Sequence, residues 1–225
     1  MPTREIIKLE NVWKTYTTGE VKVNALQGVN LSIKKGDFIA IQGPSGSGKS
    51  TMLNMIGSLD FPTKGKVLLK NKNIARLGDS KLAQIRGEQI GFIFQQFNLL
   101  EALTAKENVM LPMVFQDIAK QEMSKRSETI LTKMGLGEKL ENKPTQLSGG
   151  QQQRVAISRA LANNPEVILA DEPTGNLDSK TGSNVIHLLK QLNKEGKTIV
   201  MITHDDKIAK QAKKIIKIKD GKIEK

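Results

Sequence analysis

No cysteine occurs among the 225 residues, so disulfides and thiolate metal sites take no part in the chemistry of this chain. That absence fits a reducing compartment. No apolar run approaches ~18 residues, and the first residues hold no hydrophobic leader segment. The chain is therefore expected to carry neither a membrane span nor a signal peptide. Aromatic residues are scarce at 4%, and only six of the 35 basic residues are arginine. Base stacking and base-edge readout draw on those residue types, so a dedicated nucleic-acid surface is disfavoured. The two histidines, His187 and His204, are far apart and have no thiolate to assist them, which excludes an ordinary zinc site.

What remains is a chain with 38% apolar and 26% charged residues, as in a folded domain able to bury a substantial core. Its net charge of +12 is uneven: from Lys207 to the end, eight lysines face only Asp220 and Glu224. This tail reads as a solvated lysine-rich face, with attraction for nucleic acid or anionic lipid as the alternative.

Alternating apolar residues predict strand-rich stretches at 6–12 and 20–33, and Phe38-Ile39-Ala40-Ile41 predicts a short buried strand. Met52, Leu53 and Ile56 recur at helical spacing. A strand is expected over 65–74 with a turn at Asn71, and another over 89–97. Ala105–Val114 and Glu122–Met134 read as helices, as does the segment between Gly149-Gly150 and Asn163-Asn164-Pro165. Val167–Ala170 has the continuous apolar character of a buried parallel strand. Helix Ser183–Asn193, strand Thr198–Ile202 and a hairpin turning at Asp220-Gly221 complete the pattern.

Gly43-Pro44-Ser45-Gly46-Ser47-Gly48-Lys49-Ser50 lies between the predicted strand and helix, as a phosphate-binding loop requires. Its glycines let successive N–H groups face phosphate oxygens. Lys49 can reach the β and γ phosphates, the Ser50 hydroxyl can ligate Mg²⁺, and the following helix adds its positive end. Asp171 ends an apolar strand, where a carboxylate is a poor choice for packing; it can hold Mg²⁺ through water. Glu172 can then orient or deprotonate the attacking water. Gln95 and His204 each follow an apolar strand; Gln95 could contact metal or water and His204 could donate to the γ phosphate, while each also reads as an ordinary buried or rim polar residue. A second glycine-rich stretch, Leu147-Ser148-Gly149-Gly150-Gln151, is suited to hold phosphate brought by another surface.

Taken together and in this order, these segments resemble an ABC-type ATPase over essentially the whole length, specifically the stand-alone nucleotide-binding subunit of the lipoprotein-release and macrolide-exporter group. The Walker A loop is Gly43–Ser50, the Q-loop holds Gln95, the signature is Leu147–Gln151, and Walker B ends at Asp171-Glu172. Asn176-Leu177-Asp178 match the D-loop, and His204 the switch histidine.

The resemblance implies an α/β P-loop NTPase core of ABC type with an N-terminal antiparallel β portion. That core would take residues 1–97 and 161–225, with an inserted helical subdomain at about 98–160. It implies Mg²⁺-dependent ATP hydrolysis, with Glu172, His204 and Gln95 as catalytic residues. Ser50 and Gln95 would ligate Mg²⁺ directly and Asp171 through water. Tyr16 would stack on adenine, and Gly43 through Thr51 would hold the phosphates. Leu147, Ser148, Gly149, Gly150 and Gln151 would face ATP bound to a second copy of the chain in a head-to-tail dimer, with Asp178 at the dimer contact. The loop around Asn98–Thr104 would meet an integral membrane permease, giving a cytoplasmic subunit peripheral to the membrane. A membrane complex regulating cell division or the cell wall without transport, and a nucleic-acid-associated ATPase, remain open as alternatives.

Overall fold

The computed structural model describes residues 4–224, so Lys225 of the basic tail lies outside it. The chain divides into two compact units, Met1–Ala83 with Leu192–Lys225, and Gln84–Gln191.

In the first unit, β1 (Glu5–Thr18) and β2 (Val21–Lys34) form a long antiparallel hairpin. β1 runs past the expected 6–12 because Lys14, Thr15 and Thr17 beyond it carry no core signal, whereas β2 lies within one residue of the expected 20–33. β3 (Phe38–Gln42) leads through the glycine loop to α1 (Lys49–Ile56), which buries Met52, Leu53, Met55 and Ile56. β4 (Lys64–Leu69) and β5 (Lys72–Asn73) form a second hairpin about Lys70-Asn71, both in the left-handed region at φ 49° and 65°. These strands make an antiparallel sheet in the order β2-β1-β4-β5.

α2 (Asp79–Gln89) contains one of the two unit boundaries. It is unannounced in the sequence because Leu82 is its only buried residue, leaving no apolar stripe to read.

In the second unit, β6 (Ile90–Ile93) is shorter than the predicted 89–97, since the chain turns into a loop once its buried residues end. The helices α3 (Ala105–Val114), α4 (Lys120–Lys133) and α5 (Gly149–Leu161) pack about Val109, Met113, Leu131, Leu136 and Val155. β7 (Val167–Asp171) pairs parallel with β6, and α6 (Ser179–Lys194) follows it.

Back in the first unit, β8 (Thr198–Ile202) is buried at every position and pairs parallel with β3. A short helix, α7 (Asp206–Ala209), precedes β9 (Lys214–Lys219), which pairs parallel with the other edge of β3. β10 (Lys222–Ile223) closes the expected hairpin through Asp220-Gly221, at φ 48° and 74°. Among the described residues no helix is long and apolar enough to cross a membrane.

Candidate nucleotide site

β3 ends at Gln42, and the chain then bends through Gly43–Gly48 into α1. Two glycines are sterically required in that bend. A Cβ on Gly43 would lie 2.1 Å from the Ile218 carbonyl oxygen, and one on Gly48 would lie 2.4 Å from that of Ala25. Gly48 also adopts φ 101°, which side chains disfavour, and it starts α1 without a side-chain cap. The first N–H groups of the helix are thus left facing outward, where an anion can accept from them.

The loop forms the wall of a cleft of about 460 Å³. Ser45, Gly46, Gly48, Lys49, Ser50 and Thr51 line it, opposite Val23–Ala25 and the Asp220-Gly221 turn. That turn is docked firmly: Gly221 N–H donates to the Ser47 carbonyl at 3.0 Å, and Gln27 N–H donates to the Gly221 carbonyl at 2.8 Å. Ser47 points inward and is 2% exposed, so its hydroxyl belongs to the loop's interior. Lys49 Nζ donates to the carbonyls of Gly43 at 2.8 Å and Pro44 at 2.7 Å. An ammonium held only by neutral carbonyls is readily transferred to phosphate.

Tyr16 is 40% exposed, and its hydroxyl donates to Asp60 at 3.0 Å. Lys14 Nζ lies 2.6 Å from the same carboxylate and 5.0 Å from the centre of the Tyr16 ring. Burial works against the Asp60 carboxylate, but the Lys14 ammonium, the Phe61 N–H and the Tyr16 hydroxyl outweigh it and hold its pKa below the ordinary value. Burial raises the Tyr16 pKa, with the Asp60 charge adding to it against a contact from Thr51. The Thr51 contact places the ring beside the start of α1. His204 leaves the end of β8, whose Ile202 pairs with Ile41 at the end of β3. The histidine is exposed at the edge from which the glycine loop also emerges.

The second unit groups the other predicted residues. β6 and β7 are parallel with Ile93 opposite Ala170, so Gln95 and Asp171-Glu172 leave the same end of the pair. Gln95 is exposed, while Asp171 and Glu172 are half-buried. Glu172 has φ 45°, a strained conformation for a residue with a side chain and one that concentrates at functional sites. A turn holds it, with Gly175 N–H donating to the Glu172 carbonyl at 3.0 Å. Asn176 donates through Nδ2 to the Gln95 carbonyl at 3.0 Å, linking two of the predicted loops.

Ser148 is the N-cap of α5 in a reciprocal capping box: its hydroxyl accepts from Gln151 N–H at 3.3 Å and Gln151 Oε1 accepts from Ser148 N–H at 2.9 Å. Ser148 and Gly149 are exposed there. Leu147 is 6% exposed and packs in the helical core, so its side chain anchors the loop and only its backbone is left for a ligand. Asp178 caps α6, accepting from Lys180 and Thr181 N–H at 3.0 Å each. The Thr181 contacts, and then that of Lys180, lower its pKa.

The potential Mg²⁺ donors Ser50, Gln95 and Asp171 offer only oxygen, and among the described residues no cluster of three or more acidic, histidine or cysteine side chains forms a metal cage. That donor set fits an ion that brings much of its coordination as phosphate and water, as Mg²⁺ does.

Three supporting residues escape a motif reading. Gln153 and Asn108 are both 0% exposed, and Arg159 is largely buried and bonded to the Phe97 carbonyl at 2.8 Å. A signal was available for two of them. Gln153 stands in the stripe with Ala156, Ile157 and Ala160, and Asn108 in that with Ala105, Val109 and Met113; a polar residue in an apolar stripe demands a buried partner.

Residues 26–175 match the family described as ABC transporter. An uncharacterized ABC transporter ATP-binding protein of Thermotoga maritima is 52% identical over 98% of this chain and 94% of its own length. The chain is likewise similar, at 54% identity and a TM-score of 0.89, to the Methanocaldococcus jannaschii ATP-binding cassette MJ0796 in a dimeric, post-hydrolysis state bound to ADP and Pi; the match covers 97% of both chains. The macrolide export ATP-binding/permease protein MacB of Hyphomonas neptunium is 50% identical over 98% of this chain, which spans 34% of that longer relative.

Proposed function

The chain belongs to the ABC transporter family, with the P-loop NTPase fold, N-terminal β-sheet and inserted helical subdomain of its ATPases, and from that premise we propose that it is a Mg²⁺-dependent ATPase subunit that closes head to tail on a second copy and drives a membrane permease. The permease is of the macrolide-export or lipoprotein-release type, which makes this subunit cytoplasmic and peripheral to the membrane. The carrying observation is the exposed, pre-capped loop Ser148-Gly149 at the start of α5, in a chain that overlays along 97% of its length on a dimeric ATP-binding cassette.

In this reading Tyr16 stacks on adenine, and the N–H groups of Gly43–Thr51 hold the phosphates. Lys49 exchanges the Gly43 and Pro44 carbonyls for the β and γ phosphates. Ser50, Gln95 and, through water, Asp171 would hold Mg²⁺, which when bound would supply neutralisation of the phosphate charge. Glu172 orients the attacking water and accepts its proton, while His204 donates to the γ phosphate. Ser148, Gly149 and Gly150 of the partner complete the charge stabilisation, with Asp178 shaping the contact between the copies. ATP therefore binds the closed dimer better than the open subunits, and this differential affinity drives closure.

The test is Glu172→Gln in saturating Mg·ATP. Turnover is expected to be nearly abolished with ATP binding retained, and light scattering is expected to find a long-lived dimer. A Glu172→Gln protein that binds ATP and stays monomeric refutes the dimer. Lys49→Ala should instead weaken both binding and hydrolysis.

A further inference from the structure

Helix α5 starts at the signature loop and carries, further along, side chains that grip two segments bearing the predicted chemistry. Gln153 donates from Nε2 to the Pro173 carbonyl at 2.7 Å, immediately after the strained Glu172. Its Oε1 is buried with no hydrogen-bond partner. An apolar side chain would fill the same space without an orphaned acceptor, so the glutamine costs stability while fixing the backbone beside Glu172.

Six residues on, Arg159 Nη2 donates to the Phe97 carbonyl at 2.8 Å and Nη1 to the Asn98 carbonyl. Burial lowers the pKa of this guanidinium, and both bonds hold the chain just after Gln95. Asn98 is itself in the left-handed region at φ 50°. Asn176 donates to the Gln95 carbonyl itself. One rigid helix thus joins the signature loop to the Glu172 turn and to the exit of the Gln95 loop, all within a single compact unit.

We propose that Gln153 and Arg159 are positioning residues that make α5 a lever: engagement of Ser148–Gly150 by nucleotide on the partner copy sets the Glu172 turn and the Gln95 loop of the same chain, so that the two ATP sites hydrolyse cooperatively. The proposal rests on the head-to-tail dimer. A helix displaced at its first turn moves as a body, and each side chain along it transmits that motion to the backbone it holds. Misplacement of a water-orienting carboxylate by a fraction of an ångström lowers turnover with little effect on ground-state binding.

The experiment uses the full chain with Gln153→Met, which keeps the volume and removes both the donor and the orphaned acceptor. The melting temperature is expected to stay within about 5 °C of the unsubstituted protein, because relief of the orphaned acceptor offsets the loss of the bond to the Pro173 carbonyl. KM for ATP is expected to stay within about twofold while kcat falls roughly tenfold or more, and the Hill coefficient of hydrolysis drops toward one. Arg159→Lys, which keeps the charge but replaces the planar two-armed fork by a single flexible donor atom, is expected to raise the Mg²⁺ concentration needed for half-maximal rate and to leave Mg²⁺-free nucleotide affinity unchanged. Unaltered kcat and Hill coefficient in Gln153→Met overturn the lever. So does a Gln153→Met protein that fails to fold, since its glutamine is then structural; so does Arg159→Lys with an unaltered Mg²⁺ requirement. Glu172→Gln assayed in parallel separates the two readings: its failure to dimerise removes the dimer itself, whereas dimerisation with normal kinetics in Gln153→Met removes only the lever.

Discussion

Replacing Asn108 by alanine tests whether the loop at 98–104 is held from inside α3. Asn108 is 0% exposed. Its Oδ1 accepts Leu100 N–H at 2.8 Å, and its Nδ2 faces the carbonyls of Leu100 at 3.1 Å, Leu103 at 3.2 Å and Thr104 at 3.0 Å. The Leu100 and Thr104 carbonyls also accept from Leu103 N–H at 3.1 Å and Asn108 N–H at 2.9 Å, so they stay paired after truncation. The loss concentrates on Leu100 N–H and the Leu103 carbonyl. A stranded donor costs about 1–3 kcal/mol and the lost carbonyl bond about 1 more, giving roughly 2–4 kcal/mol. For a chain of this size that lowers Tm by about 5–15 °C. Asn108→Asp keeps the acceptor for Leu100 but points oxygen at three carbonyl oxygens. It is expected to melt below Asn108→Ala, with the gap widening as rising pH ionises the carboxyl. Thermal melts give the order, and amide exchange should show protection lost at 100–104 before the α5 core. An Asn108→Ala Tm within about 1 °C of the parent, or Asn108→Asp more stable than Asn108→Ala, refutes the reasoning.

Gly48→Ala forces a side chain into φ 101° with its Cβ 2.4 Å from a backbone oxygen, and calorimetry should find ATP affinity lowered by roughly tenfold or more. Tyr16→Ala should weaken ATP binding by about 5–100-fold, the worth of one aromatic–base stack, whereas Tyr16→Phe keeps the ring and should stay within roughly threefold; equal losses in both would assign the effect to the Asp60 hydrogen bond instead. Asp60 has a depressed folded pKa, so its stabilisation is fully present above the unfolded value near ~3.9 and is lost as pH falls through the folded value. Urea melts should therefore show Asp60→Asn less stable than the parent at neutral pH, with the difference closing only in strong acid; a constant difference down to that range contradicts the ion pair.

The phosphate loop was legible because its geometry is local. A strand, a glycine-rich bend and a helix start are contiguous in the chain, although the clashes that demand glycine at positions 43 and 48 are tertiary, with the carbonyls of Ile218 and Ala25. The buried strands β3, β7 and β8 declared themselves as apolar runs for the same reason, each being apolar at consecutive positions. Helix α2 was invisible, since a helix burying one residue has no periodic stripe. The capping box at Ser148 was within reach, because serine and glutamine three residues apart satisfy each other's backbone donors without outside help.

Residue order alone therefore marked the groups of the glycine-rich loop and the strands and helices that carry a continuous or periodic apolar signal, but not α2. Tertiary structure decided how those groups are held. Gln153 meets Pro173 across 20 positions, Arg159 meets Phe97 across 62, and Tyr16 meets Asp60 across 44. A buried polar side chain must find a partner, and a sequence reveals that need, but which distant carbonyl or carboxylate meets it is settled only when the strands and helices pack.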